Sequence, residues 1–167
     1  MDANAKQTAL RMIPHAIYVL TSEDKDGKIG AAGVSWVTQA SFEPPLIMLG
    51  VKADSLSHQI IKETGIFALN FLGKEQQDIA FTFFKPTERK NNTIGGQPFS
   101  PGKTGAPLLE NAIAFVECRL VDTIEKGDHS VFVGEVINAG VNKEPEGRPD
   151  NASLMLKDLG DKVFYGG

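Results

Sequence analysis

The chain has 167 residues, a formal net charge of −4, 41% hydrophobic and 23% charged residues, which supports one sizeable core, read as a single domain over 1–167, and excludes a disordered or fibrous chain. The acidic balance gives no support to a nucleic-acid or anionic-membrane partner. No stretch approaches the roughly 18 unbroken apolar residues of a membrane span and the N-terminal segment lacks the apolar core of a signal peptide, so a cytoplasmic location is expected.

Apolar residues at Ala5, Ala9, Leu10 and Ile13 have helical spacing, and Pro14 stops the helix. Ala16 to Thr21 is β-branched and aromatic, Asp24 to Gly27 is a turn, and Ile29 to Val34 is extended again, so the pair reads as a hairpin. Val37 to Phe42 continues as strand. Glu43-Pro44-Pro45 breaks it, because neither proline can donate to a ladder, and Leu46 to Val51 is a near-continuous apolar strand. Ser57 to Thr64 is a short helix with Ile60 and Ile61 inward, ended by Gly65, and Ile66 to Phe71 is a strand.

Lys74 to Phe83 is a further helix with Ile79, Ala80 and Phe83 on one face. Phe84 to Ala106, rich in Gly, Pro, Asn and Lys, reads as one long loop, and loops of that length are commonly functional. Ala112 to Asp122 alternates as a half-exposed strand, Lys126 to His129 is a turn, and Ser130 to Val141 completes a second hairpin. Six or seven short strands with two or three short helices predict a mostly β fold, a barrel or closed sheet, instead of the long βα alternation of a Rossmann fold. The one cysteine, Cys118, excludes an internal disulfide and sits in an apolar alternation as a small buried hydrophobe. With three histidines and no CxxC or HExxH spacing, no metal site is expected.

Four segments carry candidate chemistry. In the first, Ala31 to Ser41, small residues let a planar ligand approach the backbone and hydroxyls can meet carbonyl or phosphate oxygens, although composition alone fits an ordinary strand–turn–strand at least as well. In the second, Lys52-Ala53-Asp54-Ser55-Leu56-Ser57-His58, hydroxyls and free N–H groups at a helix N-terminus suit an anion, and plain capping by Ser55 or Ser57 fits equally. The third, Arg89-Lys90, is a basic spot that solvated loop charge also explains. The fourth, Gly127-Asp128-His129-Ser130, places an imidazole at a strand start, where a simply exposed histidine is the commoner outcome.

In this order and spacing the pieces resemble the flavin-reductase-like FMN-binding split-barrel family. The likeness runs through Ser35, Thr38, Ser41, Pro44 and Pro45, through the strand Leu46 to Val51 with Ser55 to His58, through Phe67 and Asn70, and through the Gly127-Asp128-His129 turn. Trp36, Lys90 and Phe164 are most similar to the flavoredoxin-like branch. The resemblance implies a homodimer of split barrels with FMN bound non-covalently. Gly33, Val34, Ser35, Trp36, Val37 and Thr38 would line the flavin, Ala53, Ser55 and Ser57 would meet the phosphate, and Lys90 would neutralise charge there.

His129 would stand beside flavin and nicotinamide as the catalytic residue, Phe164 would cover the ring, and Asn70 is left outside the site as a strand-end residue. Trp36 and Gln39 stand where many members carry Ser, which narrows the space for a stacked nicotinamide. The activity implied is reduction of flavin by NADH or NADPH, with electrons passed to a flavin or protein acceptor. The alternatives are a flavoredoxin-like electron-transfer protein that uses no nicotinamide, and a flavin-binding sensor or storage module.

Overall fold

The computed structural model describes residues Met1–Gly167. The chain opens with helix α1 (Ala3–Arg11), whose first turn is capped by Asp2 accepting from the Ala5 amide at 2.7 Å. Strands β1 (Tyr18–Glu23) and β2 (Ile29–Val34) form the expected hairpin, with Asp24 accepting from the Asp26 and Lys28 amides in the turn. β3 (Val37–Ser41) and β4 (Leu46–Lys52) meet at the Pro44-Pro45 corner. Helix α2 (Leu56–Thr64) is capped by Ser55 and closed by Gly65 at φ 70°, and leads into β5 (Ile66–Phe71). Helix α3 (Gln77–Phe83) follows, later and shorter than its apolar spacing predicts.

The segment read as a long loop is built instead. It holds β6 (Arg89–Lys90), β7 (Thr93–Ile94) and β8 (Gln97–Pro101), which with β9 (Pro107–Leu109) make a four-stranded sheet in chain order. Strands this short show no alternation, and prolines within β8 hide it further. Gly95 and Gly96, at φ 53° and 77°, supply the positive φ of a two-residue hairpin turn between β7 and β8.

β10 (Ala114–Ile124) and β11 (His129–Val141) form the long second hairpin. Its register shifts between Glu117 and Cys118 and between Leu120 and Asp122. The strand is not simply half exposed: Cys118 faces one core and Glu117, on the other face, is fully buried beneath the 102–104 loop.

β2-β1-β5-β10-β11-β4-β3 is the order of one seven-stranded antiparallel sheet. The sheet is rolled: Leu20, Leu49, Val51, Phe67, Leu69, Cys118 and Phe132, from five different strands, join Ile61 of α2 in one buried cluster. Its two edges, β2 and β3, are consecutive in the chain and leave an open seam spanned by Ser35 and Trp36. Gly30 lets α2 close one side of the roll, since a Cβ there would lie 2.8 Å from Ser57 Cα. On the outer face a second core joins Val19 and Ile29 to Phe83 of α3, Ile94 and Phe99 of the small sheet, and Leu154 and Leu156 near the C-terminus. Period-two alternation in β1 makes this division, Val19 serving one core and Leu20 the other. No helix is long and apolar enough to cross a membrane.

Candidate flavin site

A cavity of about 790 Å³ opens at the seam, within the usual size range of small-molecule sites. The end of β2 and the Ser35-Trp36 step form one wall, the approach to α2 from Asp54 to Ser57 a second, and Phe84 to Thr87 after α3 a third. His129 and the C-terminal residues Val163, Phe164 and Tyr165 complete it. Gly33 is small for a reason visible here: a Cβ would meet the Phe84 ring at 2.6 Å.

The polar groups of the wall divide into satisfied and unsatisfied. Ser55 Oγ accepts from the His58 amide at 3.1 Å, and Lys52 pairs with Asp54 at 3.1 Å. Ser35 Oγ and Thr87 Oγ1 are buried and have no partner within the chain. A buried hydroxyl without a partner is costly, and on a cavity wall a bound polar ligand supplies the missing bond. Lys85 adds a cation to the same wall as Thr87.

At the other end three aromatic rings cluster in tilted and edge-on contacts. Trp36 lies 4.6 Å from the His129 ring and 5.1 Å from the Tyr165 ring, and packs over Gly50, where a Cβ would stand 3.0 Å from its indole. His129 Nδ1 lies 2.9 Å from Asp128 Oδ1, and His129 Nε2 lies 2.7 Å from the Tyr165 hydroxyl. The hydrogen bond from His129 holds the Asp128 carboxyl below its ordinary value. Burial pushes the Tyr165 hydroxyl up, with Lys52 opposing and Asp128 reinforcing the shift, so at neutral pH Tyr165 is protonated and able to donate. A second cavity of about 670 Å³ lies behind Trp36 and Tyr165, which line both.

The model of the flavin reductase like domain matches residues 10–159. The chain belongs to the flavin reductase-like family. It is 31% identical over 145 residues to a probable flavin reductase of Rhizobium meliloti, which covers 84% of this chain and 45% of that one. It spans about half the length of curated relatives such as this. A ferric-chelate reductase (NAD(P)H) of Archaeoglobus fulgidus is 32% identical over 142 residues, 83% of this chain and 82% of its own. The solved styrene monooxygenase flavin reductase of Pseudomonas putida superposes with a TM-score of 0.70 at 26% identity, covering 82% of this chain and 87% of that one. The rolled sheet with its open seam is thus the family's split barrel.

Within this flavin reductase-like fold, Gly33, Val34, Ser35, Trp36, Ser55, Ser57, His129 and Phe164 come together around the larger cavity. Four sequence candidates lie elsewhere. Val37 and Thr38 line the second cavity, because β3 turns away past Trp36. Ala53 is outside the lining, and its amide already donates to the Asp128 carbonyl at 2.9 Å. Lys90 is exposed on β6, paired with Thr93, and is not part of the wall. Lys52, from the second candidate segment, lines the cavity too, whereas Phe84, Lys85, Thr87 and Tyr165 are site residues that the sequence did not point to. Lys85-Pro86-Thr87 carried a usable signal: a cation and a hydroxyl flank the proline directly after an amphipathic helix. Cys118 is excluded from any redox role by geometry, buried in the barrel core with its thiol pushed up to about 12 by desolvation and by the neighbouring Glu117.

Proposed function

We propose that the chain binds FMN in the larger cavity and catalyses its reduction by NADH or NADPH, delivering electrons to a free flavin or to a partner protein. The observation that carries this reading is the pair of buried, partnerless hydroxyls, Ser35 and Thr87, on the wall of a cavity that also holds Lys52 and Lys85. When bound, the flavin supplies the hydride-accepting chemistry, which requires no acid–base dyad from the protein. The chain's contribution is binding and orientation. Ser55, Ser57 and the N-terminus of α2 would receive phosphate, Lys85 would balance its charge, and Phe164 and Trp36 would exclude water. His129 would stand at the reacting end.

The family membership supports flavin as the ligand class, and likeness to an NAD(P)H ferric-chelate reductase and to a styrene monooxygenase flavin reductase supports a nicotinamide donor and a partner oxygenase. A homodimer fits the same reading and would bury Phe42, 89% exposed at the β3–β4 turn. One observation favours a flavoredoxin-like carrier instead: Trp36 and Tyr165 fill the wall beside His129, where a nicotinamide would approach.

Anaerobic stopped-flow mixing of FMN-loaded protein with NADH and with NADPH separates the two. Bleaching of the flavin band with either donor is expected, and a flavin that stays oxidised with both would leave the carrier reading. In fluorescence titration Lys85→Ala is expected to weaken FMN about tenfold, or about 1.4 kcal/mol, while Lys90→Ala leaves affinity within about twofold; the reverse order would move the phosphate subsite.

A further inference from the structure

The C-terminal tail is held in place by the opposite end of the chain. Arg11, in the last turn of α1, stacks its guanidinium 4.4 Å from the centre of the Phe164 ring and donates from Nε to the Gly166 carbonyl at 3.3 Å. Gly166, at φ 99°, passes close over the Trp36 indole, where a Cβ would stand 3.1 Å from the ring. A side chain there would lift the tail, so glycine and Arg11 together fix where Tyr165 sits. That place is against His129, with Tyr165 Oη 2.7 Å from Nε2.

The remaining charged groups around the imidazole fix its state. Asp128, on the same turn, accepts at Nδ1, and its side chain is 92% exposed while that of His129 is 14% exposed. Lys52 is the register partner of His129 on β4 and is ion-paired with Asp54. A carboxylate can only accept, so the proton of a neutral imidazole lies on Nδ1. Nε2 is then an acceptor, and the Tyr165 hydroxyl is its donor.

We propose that Tyr165 is the positioning residue for His129, donating to Nε2 of the Nδ1–H tautomer that Asp128 sets, so that the imidazole is held at one angle, 50° from the plane of Trp36, at the cavity wall. The hydroxyl does not touch the reacting centre. It sets in which plane the ring faces the ligand, while Asp128 sets which nitrogen carries the proton. Its effect on catalysis rests on the flavin reading above, whereas its effect on the imidazole does not.

The test uses Tyr165→Phe, which keeps the ring and removes only the hydroxyl. Long-range ¹H–¹⁵N NMR of the protein without added flavin is expected to show the Nδ1–H pattern for His129 in both chains, with the Nε2 resonance moved downfield in the variant by loss of the hydrogen bond it accepts. The emission of Trp36, the one tryptophan in the chain, reports whether the tail still packs. With FMN loaded, reduction by nicotinamide is expected to slow about fivefold while the FMN Kd moves less than about twofold, the mark of a role realised in the reaction and not in binding.

An unchanged Nε2 resonance in Tyr165→Phe would overturn the proposal whatever the flavin does, and so would equal losses in rate and affinity. If Trp36 emission shows that the tail has detached, Asp128→Ala takes over: the Nε2 of its Nδ1–H form is expected to keep the hydrogen-bonded shift of the parent, and the shift of a free nitrogen would overturn the proposal. A parent chain with the single-tautomer pattern but no flavin binding would refute the functional reading alone.

Discussion

Buried polar side chains receive opposite treatment in two regions of this molecule. Beneath the small sheet, Asn70 uses its whole amide: Nδ2 donates to the Val19 carbonyl and to Thr21 Oγ1, each at 3.0 Å, and Oδ1 accepts from the Leu109 amide at 2.8 Å. Thr21 passes the chain on to the Pro107 carbonyl at 2.6 Å. At the seam, Ser35 and Thr87 are buried without any partner. The first region spends its polar groups on holding strands together. The second leaves them for a ligand, which is why stability and binding should respond to different substitutions.

The largest effect should come from the satisfied region. Asn70→Ala removes three hydrogen bonds and takes away the side-chain partner of the Leu109 amide, so a loss of about 3 kcal/mol is expected in urea unfolding. Asn70 ties β5 to both β1 and β9, so its loss should loosen the small sheet against the barrel. A loss below about 1 kcal/mol would mean that the network is not what joins these strands, and the contrast with the seam would fail.

Glu117 extends the same logic to a charge. Its carboxylate accepts from the Thr104 amide at 2.7 Å and hydroxyl at 2.6 Å, from the Lys103 amide at 3.2 Å, and from Asn138. Burial pulls its pKa up, but the bonds from Thr104, Asn138 and Lys103 outweigh this and hold it below the ordinary glutamate value. All four partners are donors, so Glu117→Gln must aim an NH₂ group at one pair of them, and a cost of about 2 kcal/mol is expected at neutral pH. The folded pKa is depressed. The stabilisation is therefore complete above the unfolded-state value of about 4.3 and fades as pH falls from there through the folded value. Parent and variant unfolding curves should converge in that acid window, and a gap that persisted below it would assign the effect to packing.

Local features of the barrel were legible because their signals are local. The Asp24–Gly27 turn, Ser55 before α2 and Gly65 after it each mark a boundary within a few residues. The same holds for half of the site, since Gly33 to Trp36 and Ser55 to Ser57 flank the seam as continuous runs. What was not legible is what folding brings together from afar. Tyr165 meets His129 across 36 positions of sequence, and Thr87 reaches the wall only because α3 packs against β2. Lys90 drew attention as half of a basic pair. In the fold Arg89 of the small sheet is committed to Glu23 of β1 at 3.0 Å, and the cation that the cavity wall carries outside any ion pair is Lys85, five positions before Lys90.

The finest test of the contrast pairs two serines that share one deficit. Ser22 Oγ is also buried without a partner, yet Ser22 lies on β1 outside the lining of either cavity, whereas Ser35, 6% exposed, lines the larger one. Removing a hydroxyl that has no partner relieves a desolvation cost, so both Ser22→Ala and Ser35→Ala should unfold within about 0.5 kcal/mol of the parent or be slightly more stable. Their flavin affinities should then part. Ser35→Ala is expected to weaken FMN about tenfold, or about 1.4 kcal/mol, because Ser35 belongs to the cavity lining, while Ser22→Ala leaves the titration unchanged. Equal behaviour of the two variants would show that an unpartnered hydroxyl at the seam is no different from one in the sheet, and the cavity wall would lose its claim to be built for a ligand.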